Sequence, residues 1–177
     1  MGDWQTMRQS LHLLIPCLLL AGSPDGEEFV YQPVPDIAVQ LLNGRTASLQ
    51  SLSAEKPLFL TLVFTRCAGI CSPLVRSLKS AAARTGGEGS GYRMLVLSFD
   101  PRDRLGDLDT MADHLELGSN PAWMFGIATI EDVKRLSEST GFWFRWDAKS
   151  QQYDHPGLLM AVHRGRILRW RWSWPRD

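Results

Sequence analysis

The sequence predicts an α/β fold with a central mixed β-sheet, flanking helices and an N-terminal β-hairpin. Two continuous apolar stretches, at 58–64 and 94–99, are typical of strands that are covered on both faces. Segments with helical composition alternate with these strands, which is the pattern of a layered α/β domain. Cys67 and Cys71 lie where the first of these strands gives way to a helix, and this position indicates a thioredoxin-like fold.

The individual elements can be assigned along the chain. Asn43-Gly44 is a strong hairpin signal and places the N-terminal hairpin within residues 36–52. Pro73 suits the first turn of a helix, Thr129 suits a helix N-cap, and Gly141 suits a C-cap. The remaining predictions are strands at 58–64, 94–99 and 122–128, helices at 74–83, 105–117 and 130–140, and a final hairpin that joins 157–163 to 166–172.

Length and charge limit the classes of function. The 177 residues suit one domain with a substantial core. Nineteen basic residues balance nineteen acidic ones, so the net charge gives no reason to expect a nucleic acid. We therefore expect no nucleic acid among the partners.

The N-terminus has the character of a targeting segment. Residues 11–22 are almost wholly apolar but are too few to span a bilayer, which takes about 20 residues. We expect a signal peptide or membrane anchor over 1–23, a linker over 24–35 and a thioredoxin-like domain over 36–177. Export would place the domain in the bacterial periplasm or cell envelope, and a retained segment would tether it to the membrane. Cys17 is interpreted as an apolar residue of this segment.

Three residues separate the two cysteines of the exported part. On a helical turn, Cys67 and Cys71 would have Cβ atoms about 5–6 Å apart. That separation exceeds the roughly 3.8 Å of a relaxed disulfide and suits two thiolates that converge on one ion. A disulfide is also possible if the loop flexes. The pair is therefore a metal site, a redox couple or a structural disulfide. A structural disulfide that closes so short a loop would contribute little to the stability of the domain.

His155 is the candidate third ligand. It lies in a loop that leads into a strand, and in a thioredoxin-like fold this loop neighbours the first strand-to-helix turn. Two thiolates and one imidazole suit Cu(I) and can also hold Cu(II). Asp154 is expected to orient the ring, whereas His114 and His163 are expected to face solvent. The sequence is equally compatible with His155 being a loop residue that binds no metal.

Four segments together resemble the Sco/SenC family of copper-binding proteins. They follow the family's order and match its Cys-x-x-x-Cys segment, its strand ending in Asp-Pro, its Trp-led strand and helix, and its Asp-His segment. These segments are FTRCAGICSP at 64–73, VLSFDPRD at 96–103, WMFGIATIEDVKRLSESTGFWF at 123–144 and YDHPGLLMAV at 153–162. The chain departs from the family beside the site, with Ala68-Gly69 where Pro-Asp is usual and Pro156 where Ser is common.

The resemblance implies copper, as Cu(I) or Cu(II), bound by Cys67, Cys71 and His155. It implies a metallochaperone or assembly factor that delivers copper to the copper centre of cytochrome c oxidase. The partner would be subunit II of that oxidase or another copper-acceptor protein. The alternative is a thiol-disulfide oxidoreductase, in which Cys67 attacks a substrate disulfide and Cys71 resolves the mixed disulfide. The two functions are not exclusive, and an enzymatic activity stays open.

Three tryptophans alternate with polar residues at the C-terminus. Trp170, Trp172 and Trp174 would share one face of a strand, because strand side chains alternate with a period of two. This face either packs on the core or forms an exposed aromatic edge that touches lipid headgroups or a partner.

Overall fold

The computed structural model describes residues 27–173, with side chains described for 28–169. The predictions for the signal segment at 1–23 and for Trp174 fall outside these residues, as do the side chains of Trp170 and Trp172. Within the described range, no helix has the length and apolar character needed to cross a membrane.

The described part of the chain forms a seven-stranded mixed sheet, a separate two-stranded hairpin and four α-helices. The strands are β1 (Ala38–Leu41), β2 (Thr46–Ser48), β3 (Leu58–Val63), β4 (Arg93–Ser98), β5 (Trp123–Ile127), β6 (Arg145–Asp147), β7 (Gln152–Asp154), β8 (Gly157–His163) and β9 (Arg166–Ser173). The helices are α1 (Leu49–Leu52), α2 (Cys71–Thr85), α3 (Leu105–His114) and α4 (Ile130–Thr140). A 3-10 turn at Glu27–Phe29 precedes them.

The strand order in the main sheet is β2-β1-β5-β4-β3-β8-β9. Strands β3, β4 and β5 are parallel to one another, and β1, β2, β8 and β9 join as antiparallel neighbours. The register pairs Val63 with Ser98, so β3 and β4 end at the same edge of the sheet. Thr61 pairs with Leu159, so β8 starts near this edge. Three loops therefore meet where β3 ends.

The two central strands explain why the sheet forms. All residues of β3 except Phe59 are buried, and all residues of β4 except Arg93 are buried. Both strands are thus covered on both faces, as their continuous apolar sequences predicted. The mixed α/β architecture, the N-terminal hairpin and the final hairpin are confirmed.

The helix boundaries differ from the predictions in ways that have local causes. The helix predicted from residue 74 begins at Cys71, with Pro73 in its first turn, where its missing N–H costs nothing. The helix predicted to reach 117 ends at His114 because Glu116 adopts a left-handed φ of 55°. The predicted caps of α4 are confirmed, since Thr129 accepts from the Asp132 N–H and Gly141 has a φ of 68°.

Sequence patterning did not predict the hairpin of β6 and β7. Its strands have three residues each and none is buried, so they carry no apolar alternation. The hairpin matters for the site because it leads directly into His155.

Part of the predicted linker lies against the sheet. The Tyr31 N–H donates to the Ile167 carbonyl at 2.7 Å, and the Val34 N–H donates to the Gly165 carbonyl at 2.9 Å. Phe29 packs against the core. These contacts secure residues 29–34 to β9, while the boundary of the domain at 36 stays a prediction.

Candidate metal centre

The two cysteines lie on the turn between β3 and α2. Phe64 is buried at the end of β3, and its carbonyl accepts from the Cys67 N–H at 3.3 Å. Cys67 is partly exposed, whereas Cys71 is the first residue of α2 and is 1% exposed. The pair therefore presents one sulfur toward solvent and keeps the other inside the domain. The two cysteines are not joined in a disulfide.

His155 approaches the pair from the loop between β7 and β8. Its Nε2 lies 3.7 Å from the Cys71 sulfur, and its Nδ1 lies 2.9 Å from the Pro156 carbonyl oxygen. A carbonyl only accepts, so Nδ1 carries the proton of this hydrogen bond, and Nε2 is the ring nitrogen that faces the sulfur. The prediction that Asp154 orients the ring is wrong, because its carboxylate instead pairs with Arg145 at 2.9 Å.

The three predicted ligands converge. The Cys67 and Cys71 sulfurs and a His155 ring nitrogen all lie within 4.8 Å of one another. Among the described residues, no other group of three His, Cys, Asp or Glu side chains meets this criterion. Two thiolates and one imidazole form a soft ligand set, which suits copper or zinc rather than magnesium or calcium. Their role as ligands stays a prediction.

The two thiols differ strongly in acidity. A hydrogen bond from the Cys71 thiol lowers the pKa of Cys67 to about 4, against the opposing effect of burial and with help from the backbone N–H groups of Gly69 and Cys71. The same hydrogen bond, burial and the negative charge on Cys67 raise the pKa of Cys71 far above its ordinary value. At neutral pH the pair therefore holds one proton, on Cys71, and Cys67 is a thiolate.

An aromatic cluster forms the inner wall of the site. The His155 ring meets Phe64 and Phe99 in edge-on arrangements, with centroid distances of 5.5 and 5.1 Å. Tyr153 contacts the same two phenylalanines at 5.2 and 5.3 Å. These rings hold the imidazole plane by packing and keep water from its inner side. No sequence pattern predicted this cluster, although its members lie inside segments that carry the family resemblance.

Two buried carboxylates support the cysteine turn. Asp103 accepts from both the N–H and the hydroxyl of Thr65, each at 2.7 Å, and from the Ser98 hydroxyl at 2.7 Å. Asp100 accepts from Arg102 through two guanidinium nitrogens and from Arg66 at 3.0 Å. Burial raises the pKa of Asp100, but the hydrogen bonds from Arg102 and Arg66 outweigh it and keep this pKa below its ordinary value. Both side chains therefore anchor the turn through several hydrogen bonds each.

The other histidines lie elsewhere. His114 is exposed at the end of α3, as predicted. His163 is only partly exposed, and its Nδ1 lies 3.0 Å from the Ser53 carbonyl oxygen, so the prediction of a solvent-facing ring is wrong for this residue. Neither belongs to the Cys–Cys–His group.

Comparisons with known proteins give structural matches without sequence matches. No protein-family model and no curated protein sequence matches the chain. A candidate electron transfer protein from Aquifex aeolicus VF5 superposes with a TM-score of 0.75 at 22% identity, over 84% of this chain and 87% of that one.

Sco proteins are also among the structural matches. BsSco superposes with a TM-score of 0.66 at 21% identity, over 80% of this chain and 84% of its own. It is described as a member of the Sco family of cytochrome c oxidase assembly proteins, and a disulfide switch was identified in it. Copper-bound ScoI of Arabidopsis thaliana superposes with a TM-score of 0.66 at 16% identity, over 81% of this chain and 89% of its own. The chain thus has the thioredoxin-like fold of the Sco proteins, and it carries a Cys–Cys–His group beside the first strand-to-helix turn.

Proposed function

We propose that the chain binds copper through Cys67, Cys71 and His155 and passes it on as an assembly factor for the copper centre of cytochrome c oxidase. The observation that carries this proposal is the convergence of two sulfurs and one imidazole nitrogen within 4.8 Å. Such a ligand set suits Cu(I) and can also hold Cu(II). Two proteins of the same fold, ScoI of Arabidopsis thaliana and of Bradyrhizobium japonicum, are described with copper bound.

The burial of the three groups suits the release of an ion as well as its binding. Cys71 and His155 are 1% and 9% exposed, so they lie on the inner side of the site. Cys67 is partly exposed and is held as a thiolate. An incoming ligand of an acceptor protein would therefore reach the site from the Cys67 side, while the inner two groups still hold the ion.

The partner in this proposal is subunit II of cytochrome c oxidase or another copper-acceptor protein. The description of BsSco as belonging to a family of cytochrome c oxidase assembly proteins supports this choice. We further propose that the chain is exported to the bacterial periplasm or cell envelope, either released or tethered through its N-terminus. The apolar residues 11–22 support export.

A thiol-disulfide oxidoreductase is the second candidate, and the unequal acidity of the two thiols favours it. The Cys67 thiolate would attack one sulfur of a substrate disulfide and expel the other as a thiolate. Cys71 would then give up its proton and attack Cys67, which releases the second substrate thiol. The products are a reduced substrate and a Cys67–Cys71 disulfide, so the two electrons come from the cysteine pair.

Copper transfer tests the first candidate and separates it from the second. The reduced, copper-loaded chain is mixed with the soluble copper-binding domain of oxidase subunit II, and the copper in each protein is measured after separation. We expect transfer from the wild type and from His114→Ala, which removes an exposed histidine, but not from His155→Ala. Retention of all copper by the wild type would refute delivery to this acceptor. If His155→Ala reduces a disulfide substrate normally while the wild type transfers no copper, the oxidoreductase is the better account.

A further inference from the structure

The side chain of Gln152 forms hydrogen bonds with the backbone on both sides of Cys67. Its Oε1 accepts from the backbone N–H of Ala68 at 3.0 Å, and its Nε2 donates to the backbone carbonyl of Arg66 at 3.2 Å. These two groups belong to the peptide units on either side of the Cys67 Cα atom. One amide side chain therefore holds the backbone both before and after this cysteine, which restricts its φ and ψ angles.

The chemistry of these contacts requires an amide in one orientation. Besides Arg66, the Nε2 group donates to the Gln151 carbonyl at 3.1 Å, so both of its N–H bonds face carbonyl oxygens. An inverted amide would place its oxygen against these carbonyls and its N–H bonds against the Ala68 N–H. A glutamate would keep only the contact with Ala68. The residue at 68 also matters, because a proline there would have no N–H to donate.

The other end of Gln152 is fixed in the segment that carries His155. Gln152 pairs with Asp147 in the hairpin of β6 and β7. The next residue, Tyr153, packs on Phe64 in the aromatic cluster. His155 follows three residues after Gln152. The side chain of Gln152 thus links the turn that bears Cys67 to the short segment that bears His155.

The other hydrogen bonds of Cys67 stay within the turn, since its N–H donates to the Phe64 carbonyl at 3.3 Å and its sulfur accepts from the Cys71 N–H at 3.4 Å. Ala68 and Gly69 are exposed, and a Cβ atom placed on Gly69 would meet nothing within 4 Å. Asp103 secures the turn from its other side, through Thr65, two residues before Cys67. The amide of Gln152 therefore joins the backbone around Cys67 to the segment that bears His155.

We propose that Gln152 is a positioning residue that fixes the Cys67 turn relative to His155 and thereby strengthens copper binding. The part of this inference that concerns copper rests on the proposed function, whereas the positioning itself is a property of the metal-free chain. Residues that orient metal ligands typically change metal affinity by about 10- to 100-fold when they are substituted. We expect Gln152→Ala to weaken copper(I) binding by about tenfold.

The first test uses the reduced, metal-free chain. Ala68 is an exposed residue, but its backbone amide should be protected from hydrogen exchange in the wild type. In Gln152→Ala, NMR should show this amide exchanging at least about tenfold faster. Nuclear Overhauser contacts between the Cys67 and His155 side chains should weaken in the same variant. Gln151→Gly is the matched control, since it removes the neighbouring amide and glycine suits the φ of 58° at that position. Unchanged Ala68 exchange and unchanged contacts in Gln152→Ala would overturn the proposal.

The second test measures copper(I) affinity by competition with a chelator in a double-mutant cycle. If Gln152 acts through the Ala68 N–H, Ala68→Pro should weaken binding, and Gln152→Ala should add less than its full effect in that background. Full additivity, or wild-type affinity in Gln152→Ala despite faster Ala68 exchange, would overturn the proposal. A wild-type chain that binds no copper would refute the proposed function, and exchange at Ala68 would still decide the positioning role.

Discussion

The backbone N–H of Cys71 donates to the sulfur of Cys67 across 3.4 Å. Cys71 is the first residue of α2, so this N–H has no carbonyl partner within the helix. The positive end of the helix dipole therefore faces the outer sulfur and stabilises its negative charge. The spacing of three residues between the cysteines produces this contact, since it places one sulfur just before the helix and the other in its first turn.

The pH dependence of Cys67 alkylation follows from this arrangement. The pKa of Cys67 is lowered to about 4, so this thiol is almost fully ionised above about pH 6. The rate constant with iodoacetamide should be nearly constant from about pH 6 to 9, because the thiolate is the reacting form. It should fall only below that range, as the thiolate takes up a proton. A rate that rises tenfold per unit up to about pH 8 would contradict the assignment.

Two substitutions of Cys71 test the cause of this acidity. The hydrogen bond from the Cys71 side chain is the largest contribution that lowers the pKa of Cys67. Cys71→Ala should therefore move the midpoint of the alkylation profile to higher pH. Cys71→Ser keeps a hydroxyl donor of similar size and should move it less. Equal midpoints in the two variants would show that the side chain at 71 does not donate to Cys67.

Asp103 should contribute strongly to stability although it is not a candidate ligand. Its buried carboxylate accepts three hydrogen bonds from Thr65 and Ser98 and pairs with Arg66 at 3.0 Å. Asp103→Asn replaces one accepting oxygen by a donor, and it should lower the free energy of unfolding by about 3 kcal/mol. Urea denaturation measures this loss. Asp109→Asn, on the exposed side of α3, is the control and should stay within about 0.5 kcal/mol.

Two glycines should respond differently to substitution by alanine. A Cβ atom at Gly126 would lie 2.8 Å from the backbone carbonyl oxygen of Gln40 and 2.6 Å from a Val39 methyl carbon, where β1 meets β5. Gly126→Ala should therefore destabilise the domain by about 1–3 kcal/mol.

Gly106 is the matched control for this effect. It lies in the first turn of α3, and a Cβ atom there would meet nothing within 4 Å. Gly106→Ala should leave stability unchanged or raise it by up to about 1 kcal/mol, because alanine loses less backbone entropy in a helix. Urea midpoints for both variants decide the matter. A neutral Gly126→Ala would mean that β1 can shift away from β5 without loss.

The parts of the fold that the sequence predicted are those with a strong local signal. Leu58–Val63 forms β3 because an unbroken run of apolar side chains is buried only in a strand that is covered on both faces. Gly141 ends α4 because a left-handed residue stops the helix there. The hairpin of β6 and β7 carries no such signal, because its short strands are polar and largely solvated.

The site was predictable only as far as its residue types and their order allowed. Cys67 and Cys71 are marked by their spacing, and His155 by its place before β8 in the resemblance. Their convergence depends on the pairing of β3 with β8, which is set by contacts between residues about 100 positions apart. Two further contacts depend on side-chain rotamers: the hydrogen bond from His155 to the Pro156 carbonyl, and the hydrogen bond from the Ala68 N–H to Gln152. No spacing rule encodes either contact.

Copper stoichiometry of the purified, reduced chain tests the central claim most directly. We predict one copper per chain in the wild type and in His114→Ala, and loss or strong weakening of binding in Cys67→Ala, Cys71→Ala and His155→Ala. This result would establish that the two thiols and the imidazole act together as ligands. A reduced wild type without copper, or copper binding that is indifferent to His155, would contradict the account and leave a thiol-disulfide oxidoreductase in its place.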